Sequence, residues 1–181
     1  VSEIRGRREL GVLRLSEVEV HTIPESPGVY VVCWIKEGDV VPVPRILGVD
    51  KAGILYVGST TNLASRLKSL LKAIRIARGE NEKPSKKHRH TLVLTLLYTG
   101  LAERISSKDL LVYYKTFTSK KEAEIQEALF FYEYTRLYGE PPPLNLKVGR
   151  QVLMILNLGV LGKSILAGEL DPELATLLTR S

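Results

Sequence analysis

The 181-residue chain has a single cysteine, a single methionine and a single tryptophan, and its aromatic content is 7%. One thiol excludes an internal disulfide framework and any cysteine-based zinc cluster, as expected in a reducing compartment. Cys33 lies inside the apolar run 29–35 and reads as core rather than nucleophile. Long apolar runs are also missing. Residues 1–8, VSEIRGRR, hold no apolar h-region, so no secretory signal is expected. The nearest approach to a membrane span, residues 152–167, is too short and contains Asn157 and Lys163. The expectation is a cytoplasmic protein with no membrane partner. No internal repeat or low-complexity tract is visible.

At 44% apolar, the chain can bury a sizeable core. The main domain is expected at residues 23–148, with an N-terminal extension over 1–22 and a C-terminal accessory segment over 149–181. The formal charge of +6 is unevenly placed. Residues 61–90 carry nine lysines and arginines against two glutamates, +7, which leaves the remainder at −1. A basic excess in one segment suits either a polyanionic partner or a solvated helix face followed by a basic loop.

Residues 54–66, ILYVGSTTNLASR, organise the reading. A short β-prone strand stops at Gly58 and runs into a helix, with Thr60 and Thr61 as cap hydroxyls. Tyr56, Gly58 and Arg66 thus gather near one helix start, a natural place for an anion. Upstream, turn residues 23–28 lead into a buried strand over 29–35 on which Tyr30, Val32 and Trp34 share a face. Antiparallel pairing of the two strands would bring Tyr30 near Tyr56, with Ile54 and Gly58 on the same face. Between them, residues 36–53 form a long connection in which Arg45 and Lys51 either touch substrate or decorate the surface. Residues 10–20 carry a weak pattern suited to an edge element.

The helix expected over 61–78 places Leu63, Leu67, Leu70, Leu71, Ile74 and Ala77 on one stripe, with Lys68, Lys72 and Arg75 opposite. Arg66 flanks the apolar stripe. A basic loop with Lys86 and Lys87 precedes a second helix over 88–105, opened by His88, Arg89 and His90. A third strand follows at 109–117, then a capping box Ser119–Glu122 and a helix to Tyr138. On that helix Ala123, Glu127, Phe130, Phe131, Tyr134 and Leu137 fall on one face. An inward carboxylate is costly without a cation, so Glu127 is a metal ligand, the partner of an arginine, or partly exposed. Prolines 141–143 end the helix before Asn145. The tail 151–170 suits strands or a docking helix, and Asp171-Pro-Glu opens a last one.

Gly28-Val-Tyr30, Tyr56-Val-Gly58, Arg66, Glu127 and Asn145, in this order, resemble the catalytic domain of the GIY-YIG nuclease superfamily. The resemblance covers residues 27–147. It implies an α/β (α+β) fold, a small three-stranded antiparallel sheet flanked by helices, and metal-dependent hydrolysis of DNA phosphodiesters in repair, recombination or restriction. By analogy Glu127 binds one Mg²⁺ or Mn²⁺ and Arg66 holds the scissile phosphate. Tyr56 is the general base or orients the attacking water, Tyr30 supports it, and Gly28, Gly58 and Asn145 give structural support. The chemistry asks for these types in its own right: an arginine fork binds phosphate, and a carboxylate holds the ion that offsets phosphoryl charge.

Two departures stand out. Many members carry Tyr or His one turn after the arginine, where this chain has Leu70; His88 and His90 are either substitutes or surface contacts. The connection between the tyrosines is also longer than the family's short hairpin. Expected DNA contacts are Lys68, Lys72, Arg75, Lys86, Lys87, His88, Arg89 and His90, and branched or damaged DNA is among the candidate substrates. No zinc finger or separate DNA-reading domain is expected within these residues. Two other readings remain: a binding module of the same fold with weak or absent chemistry, and an interaction protein pairing with itself or a partner through the C-terminal segment.

Overall fold

Strand β2, Gly28–Lys36, is apolar almost throughout because both of its faces and both of its edges are covered. It pairs antiparallel with β6, Ile54–Thr60, on one side and with β7, Leu110–Thr116, on the other. The three expected strands are therefore present. A fourth, β1 at Gly11–Arg14, pairs with β7, and the two-residue β3, Asp39–Val40, folds back on the end of β2. The sheet is thus larger than the three strands read from sequence. A four-residue strand followed at once by a tight turn, Leu15–Glu17, is too short to show a period. The computed structural model describes residues 10–80, 91–145 and 168–179, and among them the fold is mixed α+β: a curled antiparallel sheet, a small hairpin and four α-helices.

The sheet separates two cores. Helix α1, Leu63–Ala77, and α2, Thr91–Tyr98, cover the face that carries Tyr30, Val32 and Tyr56. Helix α3, Lys120–Tyr138, and α4, Pro172–Leu178, cover Val29, Val31, Cys33 and Val57. Leu13, Leu15 and Val18 join the first core, and Leu174, Leu177 and Leu178 the second, so the described parts of both extensions pack into the same structure.

Several local expectations need correction. Ile54 lies in the second core, not on the face of Tyr56, because Val32 pairs with Tyr56 while Cys33 pairs with Ile54. Leu55 is the extra residue of that bulge, and the strand's alternation reverses there. Helix α2 is shorter than residues 88–105, since Gly100 takes φ +71° beyond its end; residues 88–90 lie outside the described residues. Leu137 is exposed, because the buried row of α3 continues from Tyr134 to Tyr138, whose rings are 4.6 Å apart. At the start of α3 the Ser119 hydroxyl accepts from the Glu122 N–H at 3.1 Å, but the Glu122 carboxylate reaches back to the Thr118 N–H and hydroxyl.

Arg45 is neither a substrate contact nor surface decoration. It ends β4, Val43–Arg45, which forms a hairpin with β5, Gly48–Asp50. Its side chain is 6% exposed, sits 3.1 Å from Glu140 and donates to the Pro141 carbonyl. The Leu47 N–H donates to the Tyr138 carbonyl at 3.1 Å. The hairpin thus clamps the end of α3, and Tyr134 donates to buried Asp50 at 3.0 Å beneath it.

Candidate active site

Register places Tyr30 opposite Gly58 and Val32 opposite Tyr56, so the two tyrosines are diagonal neighbours on one face. Their rings stack with centroids 6.0 Å apart and an interplanar angle of 29°. Gly58 is required by this arrangement: a Cβ there would stand 2.7 Å from the Tyr30 hydroxyl and 2.8 Å from the Tyr56 ring. Gly28 is pinned as well, since a Cβ would strike the Leu63 side chain and the Lys115 carbonyl. Arg66, one turn into α1, donates from Nε to the Tyr30 hydroxyl at 3.0 Å. It also hydrogen-bonds with Tyr56.

Glu127 approaches from the other face. Strand β6 is an edge of the sheet, and its outward backbone groups are covered one after another. The Leu144 N–H donates to the Leu55 carbonyl at 2.9 Å. Asn145 accepts from the Val57 N–H at 2.9 Å and donates to the Val57 carbonyl at 2.9 Å. Two residues further on, Ser59 donates to Glu127 from both its hydroxyl and its backbone N–H. These bonds cover the edge that would otherwise template further pairing. They also bring Glu127 around the edge into the electrostatic reach of Tyr56, Tyr30 and Arg66.

Charge states follow from burial and neighbours. Burial raises the Tyr30 phenol well above its ordinary value, and Tyr56 beside it adds to the rise. Tyr56 is raised by burial and then by the Glu127 carboxylate, against the opposing pull of Arg66. Burial also raises Glu127, although the Ser59 hydrogen bonds oppose it. For Arg66 burial works against the charge, yet the two tyrosines more than offset it and the guanidinium is held charged. Both phenols are thus protonated near neutral pH, where they donate hydrogen bonds.

The helix start is not the anion site that the sequence suggested. Its N–H groups are already used: Leu63 donates to Ser26, Ala64 to Pro24, and Ser65 to the side chain of Asn62. Asn62, rather than Thr60 or Thr61, is the cap, while the Thr60 hydroxyl accepts from the Asn62 N–H at 3.2 Å. Anion-binding capacity at this turn therefore rests on the Arg66 fork. Leu70 is fully buried in the first core, and His88 and His90, the possible substitutes for a polar residue there, lie outside the described residues.

Lys68 is exposed and Lys72 half-buried, while Arg75 pairs with Glu19 at 3.1 Å. Lys86, Lys87, His88, Arg89 and His90 lie outside the described residues. Ser59 escaped the sequence reading. In the sequence only its spacing of two residues from Val57 hints at which face it takes, and Leu55, the bulge residue, lies in the other core.

Among the described residues no three acidic, histidine or cysteine side chains cluster as a metal site. Glu127 alone, with one oxygen bonded by Ser59, could hold a hard ion that keeps most of its water shell, which fits Mg²⁺ or Mn²⁺ and not zinc. No protein-family model, curated protein or solved structure matches the chain.

Proposed function

We propose that this protein is a metal-dependent endonuclease of the GIY-YIG type that hydrolyses DNA phosphodiester bonds. The observation that carries the proposal is the convergence of Arg66, Tyr30, Tyr56 and Glu127 near one sheet edge from four separate elements, α1, β2, β6 and α3. A divalent ion at Glu127, Mg²⁺ or Mn²⁺, supplies Lewis acidity toward a phosphoryl oxygen when bound. The chain's own groups do the rest. Arg66, fixed through Nε on Tyr30, turns the remaining donors of its five-donor fork toward a phosphate. Tyr56, whose phenol is raised by burial and by Glu127, suits orientation of an attacking water by hydrogen bonding better than proton abstraction. Buried Tyr30 anchors both, and Asn145 keeps β6 in register with them.

The test is incubation of the whole chain with supercoiled, branched and single-stranded DNA in Mg²⁺ or Mn²⁺. Nicking is expected, and it should disappear in Glu127→Ala and Arg66→Ala. Absence of any cleavage that these substitutions abolish would defeat the proposal.

One observation favours a second reading, a DNA-binding module with weakened chemistry. Leu70, buried where many members place Tyr or His, cannot contact a substrate. Binding that falls steeply with salt, without metal-dependent cleavage, would mark that outcome.

A further inference from the structure

Glu127 reaches the tyrosines from the opposite side of the sheet, and its side chain has three rotatable bonds with which to miss them. What holds it is on β6. Ser59 faces the α3 side, directly opposite Val29 of the neighbouring strand, and its N–H points out of the sheet edge as that of Val57 does. The same residue therefore offers two donors to one carboxylate from a strand whose position is fixed by β2 inside and by Asn145 outside. We propose that Ser59 is a positioning residue: its hydroxyl and N–H, presented together by the edge of β6, fix the Glu127 carboxylate in the orientation that meets a divalent cation. The inference rests on the nuclease reading and adds to it a residue that none of the sequence motifs marks.

Two donors leave the carboxylate acceptor capacity to spare, because an ionised carboxylate has about four lone-pair sites. The backbone N–H survives any side-chain change, so the hydroxyl is the part that mutation can isolate. Thr keeps a hydroxyl and suits a strand, whereas Ala removes it. Outer partners of this kind typically change metal affinity by about 10–100-fold when removed.

The experiment is Mn²⁺ binding to the full chain without DNA, followed by electron paramagnetic resonance, for wild type, Ser59→Ala, Ser59→Thr and Glu127→Gln. Circular dichroism confirms that each is folded. Ser59→Ala should weaken Mn²⁺ by about tenfold or more, and Ser59→Thr should restore it to within a few-fold. The metal concentration at half-maximal nicking should follow the same order. Wild-type affinity in Ser59→Ala, or a Ser59→Thr as weak as Ser59→Ala, overturns the inference and leaves the nuclease reading intact. Failure of wild type to bind any Mn²⁺ that Glu127→Gln removes overturns both.

Discussion

The Tyr30 hydroxyl occupies the space into which a side chain at Gly58 would grow, 2.7 Å from the position of its Cβ. The two residues are cross-strand partners, so neither can move without disturbing the pairing of β2 and β6. Gly58→Ala forces the ring of Tyr30 aside, and with it the hydrogen bond that fixes Arg66. The expected result is a loss of about 1–3 kcal/mol in stability, typical of overpacking. Nicking activity should fall further than stability explains, and denaturant melts run beside activity assays check this. Unchanged melts and activity would show that the rings have room to adjust.

Asn145 should matter for stability whatever the protein does. It satisfies both backbone groups of Val57 at a buried edge, and Asn145→Ala strands them. Each unpartnered buried group costs about 1–3 kcal/mol, so a total of about 2–6 kcal/mol is expected for the two. Urea unfolding measures it. A change below about 0.5 kcal/mol, typical of an inconsequential surface site, would mean that water replaces the amide.

Lys115 sets an alkaline limit on the docking of α4. Burial works against its charge, but hydrogen bonds and charge from Asp171 and Glu173 win, and its pKa is raised above 10.5. A group that binds its proton more tightly folded than unfolded stabilises fully below the unfolded value. That contribution is lost as pH rises through the folded value. The stability difference between wild type and Lys115→Met should therefore be constant at neutral pH and shrink above about pH 10.5. A difference that holds constant through that range would count against the ion pairs.

Lys68 points to solvent from α1, in the stripe read as a DNA contact. Lys68→Ala should weaken duplex binding about equally across sequences and lower the salt slope by about 0.9 if it meets one phosphate. Fluorescence anisotropy over a salt series reads both. An unchanged slope would remove Lys68 from the interface.

Much of this arrangement was legible from local chemistry. The strands around Tyr30 and Tyr56 were marked by β-prone runs between turn residues, and α1 and α3 by 3.6-residue apolar spacing with polar residues at their starts. What escaped depends on pairing that no single segment encodes. The bulge at Leu55 moves Ile54 to the other core, and the loop at Pro24 and Ser26 takes the N–H groups that made the start of α1 look like an anion site. Arg45 reads as a substrate contact or surface decoration until the hairpin folds it against Glu140. Ser59 becomes meaningful only once β6 is known to be an edge. The inward position of Glu127, by contrast, followed from spacing alone.

The most direct measurement of the central claim is single-turnover nicking of supercoiled DNA in Mn²⁺ by wild type and by Glu127→Gln at matched DNA occupancy. Bound DNA is expected in both, with the rate falling at least about 100-fold in the variant, the scale seen when transition-state charge loses one stabilising group. Equal rates, or no cleavage by wild type while DNA is bound, would contradict that claim.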